Sequence, residues 1–437
     1  GLEIGLAGVG GTITAAGIIT APHLKTGGTL DNTGLGENTL AAITGGTDNV
    51  AIGNNALDSA TTGTNNTAVG KDALTALTTA SNNTAVGYEA LKSNTTGTTN
   101  VAVGNDALEA NTTGSGGVAV GEGALKNNTT ASGNTAVGMR SLATNTTAES
   151  NTAVGYYALN ANTTGVHNVA VGKGALDTNS TGGYNTVVGS VAMDANTSGL
   201  HNSAIGYAAL TANTTGRDNS AVGMSVMIAN TTGSYNSSLG SYALDANTTG
   251  DYNIAIGHEA LTENTTASKN TAVGAEALKV NTTGHSNTAI GYQALEANTT
   301  NSESTAVGTN ALQVNTAGAN TAVGHRALEA NTTGAQSVAV GQRAGYQVTT
   351  GTNNTLIGWN AGGSITTVSY NTAVGNRALD ATNNSDNTAV GYESLSSSCG
   401  EDNTAVGYQA GLNVTGASNT IMGHSAMGSG THSGNYS

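Results

Sequence analysis

The sequence predicts an all-β chain, a parallel β-roll or β-solenoid of about 23 coils of 16–17 residues each. Two observations carry this. An aliphatic residue followed by glycine recurs 23 times between Gly53 and Gly423, spaced 17 residues apart at every step to Gly308 and 16 or 17 thereafter. A unit so short cannot enclose a core of its own, so its apolar face must be covered by the copies before and after it. A third observation removes the main rival. With 9% charged residues and 63 glycines the composition borders on disorder, yet the aliphatic position is kept in all 23 copies, which a disordered chain has no reason to do.

Each coil position has its own reading when the glycine is counted as zero. Position minus four is Asn in 20 of 23 copies, minus two is Ala in 19, minus one is Val, Ile, Leu or Met throughout, and plus three and plus four are usually Ala and Leu. A β-branched residue with alternating neighbours reads as a strand, and the glycine and the later Asn-Thr-Thr-Gly read as turns, giving two short strands and two corners per coil. The glycine is expected at positive φ or at a close backbone approach. The Asn column (Asn66, Asn83, Asn100 and onward) reads either as a stacked amide ladder or as a set of turn caps. Side chains alternate across a strand, so Ala85 and Val86 face opposite ways; both are apolar, and burial of the second face calls for a partner, either a layer of the same chain or another chain. That is the sequence argument for an oligomer.

The ends leave the frame. Residues 1–31 read as an N-terminal cap or docking segment with strand character at Thr12–Ala15 and Ile18–Thr20, residues 32–427 as the repeat array, and 428–437 as a polar tail or junction. Docking of residues 1–31 on another molecule would build an end-to-end filament. Near the C-terminus plus four becomes Gly345, Gly362 and Gly411, from which a changed cross-section after Gly308 is expected.

Composition excludes several function classes. A net charge of −15 without a basic patch argues against nucleic acid, one cysteine allows no disulfide framework, and no apolar run approaches a membrane span. The start lacks the basic segment of a signal peptide and the initiator Met, which suggests a processed or partial chain. No catalytic constellation, cofactor motif or metal-ligand set is present, so an enzyme is not expected. The acidic residues at plus five, such as Asp58, Glu109, Asp177, Asp194 and Asp245, read as a solvated face.

Two rows of candidate surface residues remain. Asn94, Asn111, Asn128, Asn145, Asn162, Asn179, Asn196, Asn213, Asn230, Asn247, Asn264, Asn281, Asn298 and Asn331 stand at plus seven in N-x-[ST] sequons, a row of candidate glycosylation sites expected to be exposed; turn chemistry explains the same residues without sugar. Tyr88, Tyr156, Tyr207, Tyr292, Trp359, Tyr392 and Tyr408 stand at the variable plus-one position, which reads as solvent-facing and able to contact a surface glycan or protein. The paired threonines are adjacent and point apart, which argues against ice binding. His167 and His201 occupy equivalent positions two coils apart, without the carboxylates a metal site would add.

The motif Asn-Thr-Ala-Val-Gly-x-x-Ala-Leu, as at Asn83–Leu91, resembles the repeat of trimeric autotransporter adhesin heads, and Gly291–Leu295 and Gly407–Gly411 resemble arrays in phage tail-fibre-like proteins. The resemblance covers about residues 32–427. It implies a left-handed roll, a parallel homotrimer, and an extracellular, cell-surface or virion-surface location. The repeat is two or three residues longer than the usual adhesin-head unit, and no coiled-coil stalk or barrel anchor follows it. The function expected is a structural subunit of an extracellular fibre or filament, adhesin-like, with a tail-fibre shaft and a glycan-binding module as alternatives.

Overall fold

The computed structural model describes residues 31–381 and 383–428, and among these it is an all-β parallel solenoid without helix. The cap or docking segment up to residue 30 and the polar tail from residue 429 lie outside the described residues. The chain divides into two compact units after Arg217. The first holds strands β1 (Thr33–Leu35) to β11 (Ser203–Ile205), and the second β12 (Ser220–Val222) to β24 (Thr420–Met422). Within each unit every strand pairs in parallel with the next coil's strand in unshifted register, as in Thr84↔Val101, Ala85↔Ala102 and Val86↔Val103, or Thr271↔Thr288, Ala272↔Ala289 and Val273↔Ile290. Identical coils can stack in only one register that keeps alanine inside, because a one-residue slip would turn it outward.

Only one strand of three residues forms per coil, so the second expected strand is absent among the described residues. The plus-two and plus-four residues take left-handed backbone instead: φ is 55° at Glu89 and 52° at Leu91, and the same recurs through both units. A non-glycine residue in this region costs roughly 1–2 kcal/mol. Inter-coil hydrogen bonds offset that cost, since the turned peptides aim their N–H groups along the stack: Leu91 N–H donates to Ala107 O (3.0 Å) and Ser93 N–H to Glu109 O (3.0 Å). The leucine side chain is thereby swung inward, where Leu91, Leu108 and Leu125 are at most 1% exposed. Burial of each stabilises by about 2 kcal/mol.

Glycine zero has φ of 123–150° throughout, as the sequence suggested. A Cβ on Gly155 would stand 2.4 Å from Gly172 O, so both the dihedral and the approach of the next coil demand glycine. The interior is filled by alanine at minus two and plus three, leucine at plus four, and asparagine at minus four and plus seven. Where the C-terminal coils carry glycine at plus four, their interior is refilled by Val348, Leu356, Ile365, Val414 and Ile421, all at most 3% exposed.

Candidate interaction surfaces

The plus-seven asparagines do not form an exposed row. All fourteen sequon positions are buried, at 0–2% exposure, so the expectation of accessible glycan acceptors is corrected. The physical reason is an amide ladder. Asn111 Nδ2 donates to Asn94 Oδ1 (2.9 Å) and to Gly114 O (3.0 Å), and Asn111 Oδ1 accepts from Asn128 Nδ2 (2.9 Å). The nitrogen that would carry a sugar spends both hydrogens inside the coil. A buried amide is retained only when bonded in this way.

The minus-four column is inward as well. Asn83 Oδ1 accepts the backbone N–H of Asn100 (3.0 Å), while Asn83 Nδ2 reaches Asn66 Oδ1 (3.2 Å) and Gly97 O (3.0 Å). Gly97 O also accepts from Asn94 Nδ2 (2.9 Å), so one turn carbonyl joins both asparagine columns. The ladder reading holds, with a backbone N–H as the shorter partner.

The strand has one buried and one open face. Ala85, Ala102 and Ala119 are 0% exposed, but the minus-one residues on the opposite face are half-buried or exposed in the single chain. Val103 is 37% and Ile205 41% exposed in the first unit, and Leu239 is 52% and Met422 75% exposed in the second. Of the two covers expected for the second face, a layer of the same chain is not formed among the described residues. Each unit carries an unbroken aliphatic column along its outer sheet face, beside Thr, Val, Ser or Ile at minus three.

The plus-one aromatics are exposed where the sequence placed them: Tyr88, Tyr156, Tyr207, Tyr292, Trp359, Tyr392 and Tyr408 all lie at 39–60%. Tyr392 and Tyr408 stack at 5.1 Å, and Tyr408 continues onto His424 at 4.8 Å, so these rings present edges rather than open faces. A second aromatic column stands at minus five, where the sequence had shown only the equivalence of His167 and His201. It holds Tyr235 stacked on Tyr252 at 4.9 Å, and Tyr184 between His167 (4.9 Å) and His201 (5.4 Å). The interposed ring keeps the two imidazoles apart.

The acidic cluster on the first unit is paired with lysines. Glu89, Asp106 and Glu109 lie together, but Lys92 bonds Glu89 (2.9 Å) and Lys126 bridges Asp106 (2.9 Å) and Glu109 (3.2 Å). The bond from Lys92, aided by Tyr88, holds Glu89 below the ordinary carboxylate value. Asp177, Asp194 and Asp245 differ from the solvated face expected of them. Burial raises all three, and the charge of Asp177 raises Asp194 further. Asp177 and Asp194 line a cavity of about 280 Å³ with Tyr156, Tyr157, Lys173 and Gly174.

No helix among the described residues is long and apolar enough to cross a membrane. No protein-family model matches this chain, and comparison with curated proteins finds no match.

Proposed function

We propose that this chain is a structural subunit of an extracellular fibre or filament, adhesin-like in role, whose copies associate side by side through the minus-one aliphatic column. The observation that carries the reading is that column. Most of the buried asparagine amides are satisfied by neighbouring coils, yet every described coil presents one aliphatic side chain outward, where single scattered exposure would be ordinary and a continuous stripe is not. Three parallel copies facing inward, the arrangement implied by the resemblance to adhesin heads, would cover the stripe along each unit. Repetition suits such a role, because each added coil extends the surface without requiring a distinct site.

The test is molar mass by light scattering on the intact chain, beside a variant carrying Val86→Lys, Val103→Lys and Val120→Lys. The expected result is three times 42.7 kDa for the unaltered chain and a lower mass for the variant, with circular dichroism unchanged because the replaced side chains point out of the coil. A monomer at all concentrations would overturn the reading.

A further inference from the structure

The geometry points to a saccharide site on the second unit: a groove spanning three coils, walled by Tyr346 with Arg343 packed against that ring, that takes an oligosaccharide bearing a carboxylate. The groove encloses about 500 Å³ and is lined by Gln313, Glu329, Tyr346 and Gln347 among others. That volume suits a small ligand.

The aromatic wall is fixed before any ligand arrives. Arg326 lies 4.7 Å and Arg343 4.5 Å from the centre of the Tyr346 ring, and Arg326 Nη2 donates to Tyr346 Oη (2.8 Å). Arg326 is itself held by both carboxylate oxygens of Glu329. A ring so clamped loses little freedom on binding.

The two guanidinium groups are not equivalent. Glu329 neutralises Arg326, whereas Arg343 makes no ion pair among the described residues and its Nε is buried without an acceptor. In a chain with 27 acidic and 12 basic residues, a guanidinium left without an ion pair against the ring that walls the groove is set for an incoming anion. The remaining polar lining favours hydroxyl groups. Gln347 is exposed, and Gln313 is oriented by Asn310 (2.8 Å) and Glu296 (2.9 Å). One charge among many hydroxyls matches one free guanidinium among amides. A densely acidic peptide would meet Glu296 and Glu329 instead, and like charges repel.

The site rests on the groove and not on the oligomer, so the tests separate. Calorimetric titration of the intact chain would use trigalacturonate, a hyaluronan tetrasaccharide, trigalacturonate methyl ester, and triglutamate. Saturable binding of at least one acidic saccharide is expected, with the methyl ester and triglutamate at least about ten-fold weaker than trigalacturonate or hyaluronan, whichever binds. Arg343→Gln should remove the advantage of the acid over the ester, and Tyr346→Leu should weaken both by about ten-fold. Failure of both acidic saccharides to saturate overturns the assignment, as does triglutamate binding equally well. If Arg343→Gln fails to fold, the comparison of acid with ester on the unaltered chain decides alone, and an ester bound as tightly as its acid overturns the role of Arg343.

Discussion

The coils of the first unit from Gly87 to Gly189 and those of the second unit beginning at Gly341, Gly358 and Gly407 build the same interior in different ways. In the first set, plus four is Leu or Met and plus seven is Asn, so bulk enters from one corner and a hydrogen-bonded amide from the other. In the second, glycine at plus four is matched each time by a β-branched aliphatic at plus seven: Gly345 with Val348, Gly362 with Ile365, Gly411 with Val414. A Cβ on Gly345 would lie 2.7 Å from Leu356 Cδ1 and 2.8 Å from Leu328 Cδ2, so the space is already filled. Volume is conserved while its source moves, as close packing requires. The exchange has a cost at its edge. Asn331 ends a run of the ladder with Val348 at the next equivalent position, and its Oδ1 is buried without a partner. Asn298 Oδ1 is orphaned too, where the 16-residue coil turns Asn315 Nδ2 onto Ala317 O.

Glycine zero is common to both regions, so Gly155→Ala and Gly358→Ala should destabilise most and by similar amounts. Each Cβ would meet the next coil's carbonyl at 2.4 Å, at a dihedral that side chains avoid. A loss above about 3 kcal/mol in chemical denaturation is expected for both; unequal losses would show that the frame depends on the filling around it. Next in size is a cycle at Leu176 and Asn179. Leu176→Gly should cost about 2–5 kcal/mol through the cavity it leaves, and Asn179→Val about 1–3 kcal/mol through unpaired amides on its neighbours. The double variant recreates the Gly and Val pairing and should cost clearly less than the sum; strict additivity would break the exchange argument.

A smaller effect concerns Asp245, whose Oδ1 is buried without a partner and whose pKa burial holds above 3.8. The folded form keeps its proton to higher pH than the unfolded form, so stability falls as pH rises from about 3.8 through the raised value. Asp245→Asn should therefore raise the melting temperature at pH 7, by the equivalent of less than about 1 kcal/mol after solvent screening, and lose that advantage at low pH. A gain that persists at low pH would assign it to another cause. The smallest expected effect is none: after expression in a glycosylating host, peptide mapping should find the fourteen plus-seven asparagines free of sugar, because their side-chain nitrogens are inside the coil.

The period, the parallel stacking and the positive φ of glycine zero were legible because 23 copies repeat one constraint. Which way plus seven points was not legible from Asn-Thr-Thr-Gly, which is equally good chemistry for an exposed turn and for an inward amide. The deciding signal lay in the coils that lack this asparagine: Leu77, Val348, Ile365 and Val414 occupy its place, and an aliphatic there belongs inside. Leucine in left-handed backbone at plus four escaped because propensity opposes it, and only the inter-coil hydrogen bonds make it favourable. The Tyr346 groove depends on side chains from three coils whose meeting no local pattern announces.

The unshifted register has a consequence for heredity. Excision of residues 111–127 would bring Asn128 opposite Asn94 and Thr135 opposite Val101, each meeting the kind of neighbour it already has. A gene coding for such a stack can gain or lose whole coils by recombination between its own copies, and the product still closes. Length in this molecule is thus a countable trait, open to change in single steps without any new surface having to be invented.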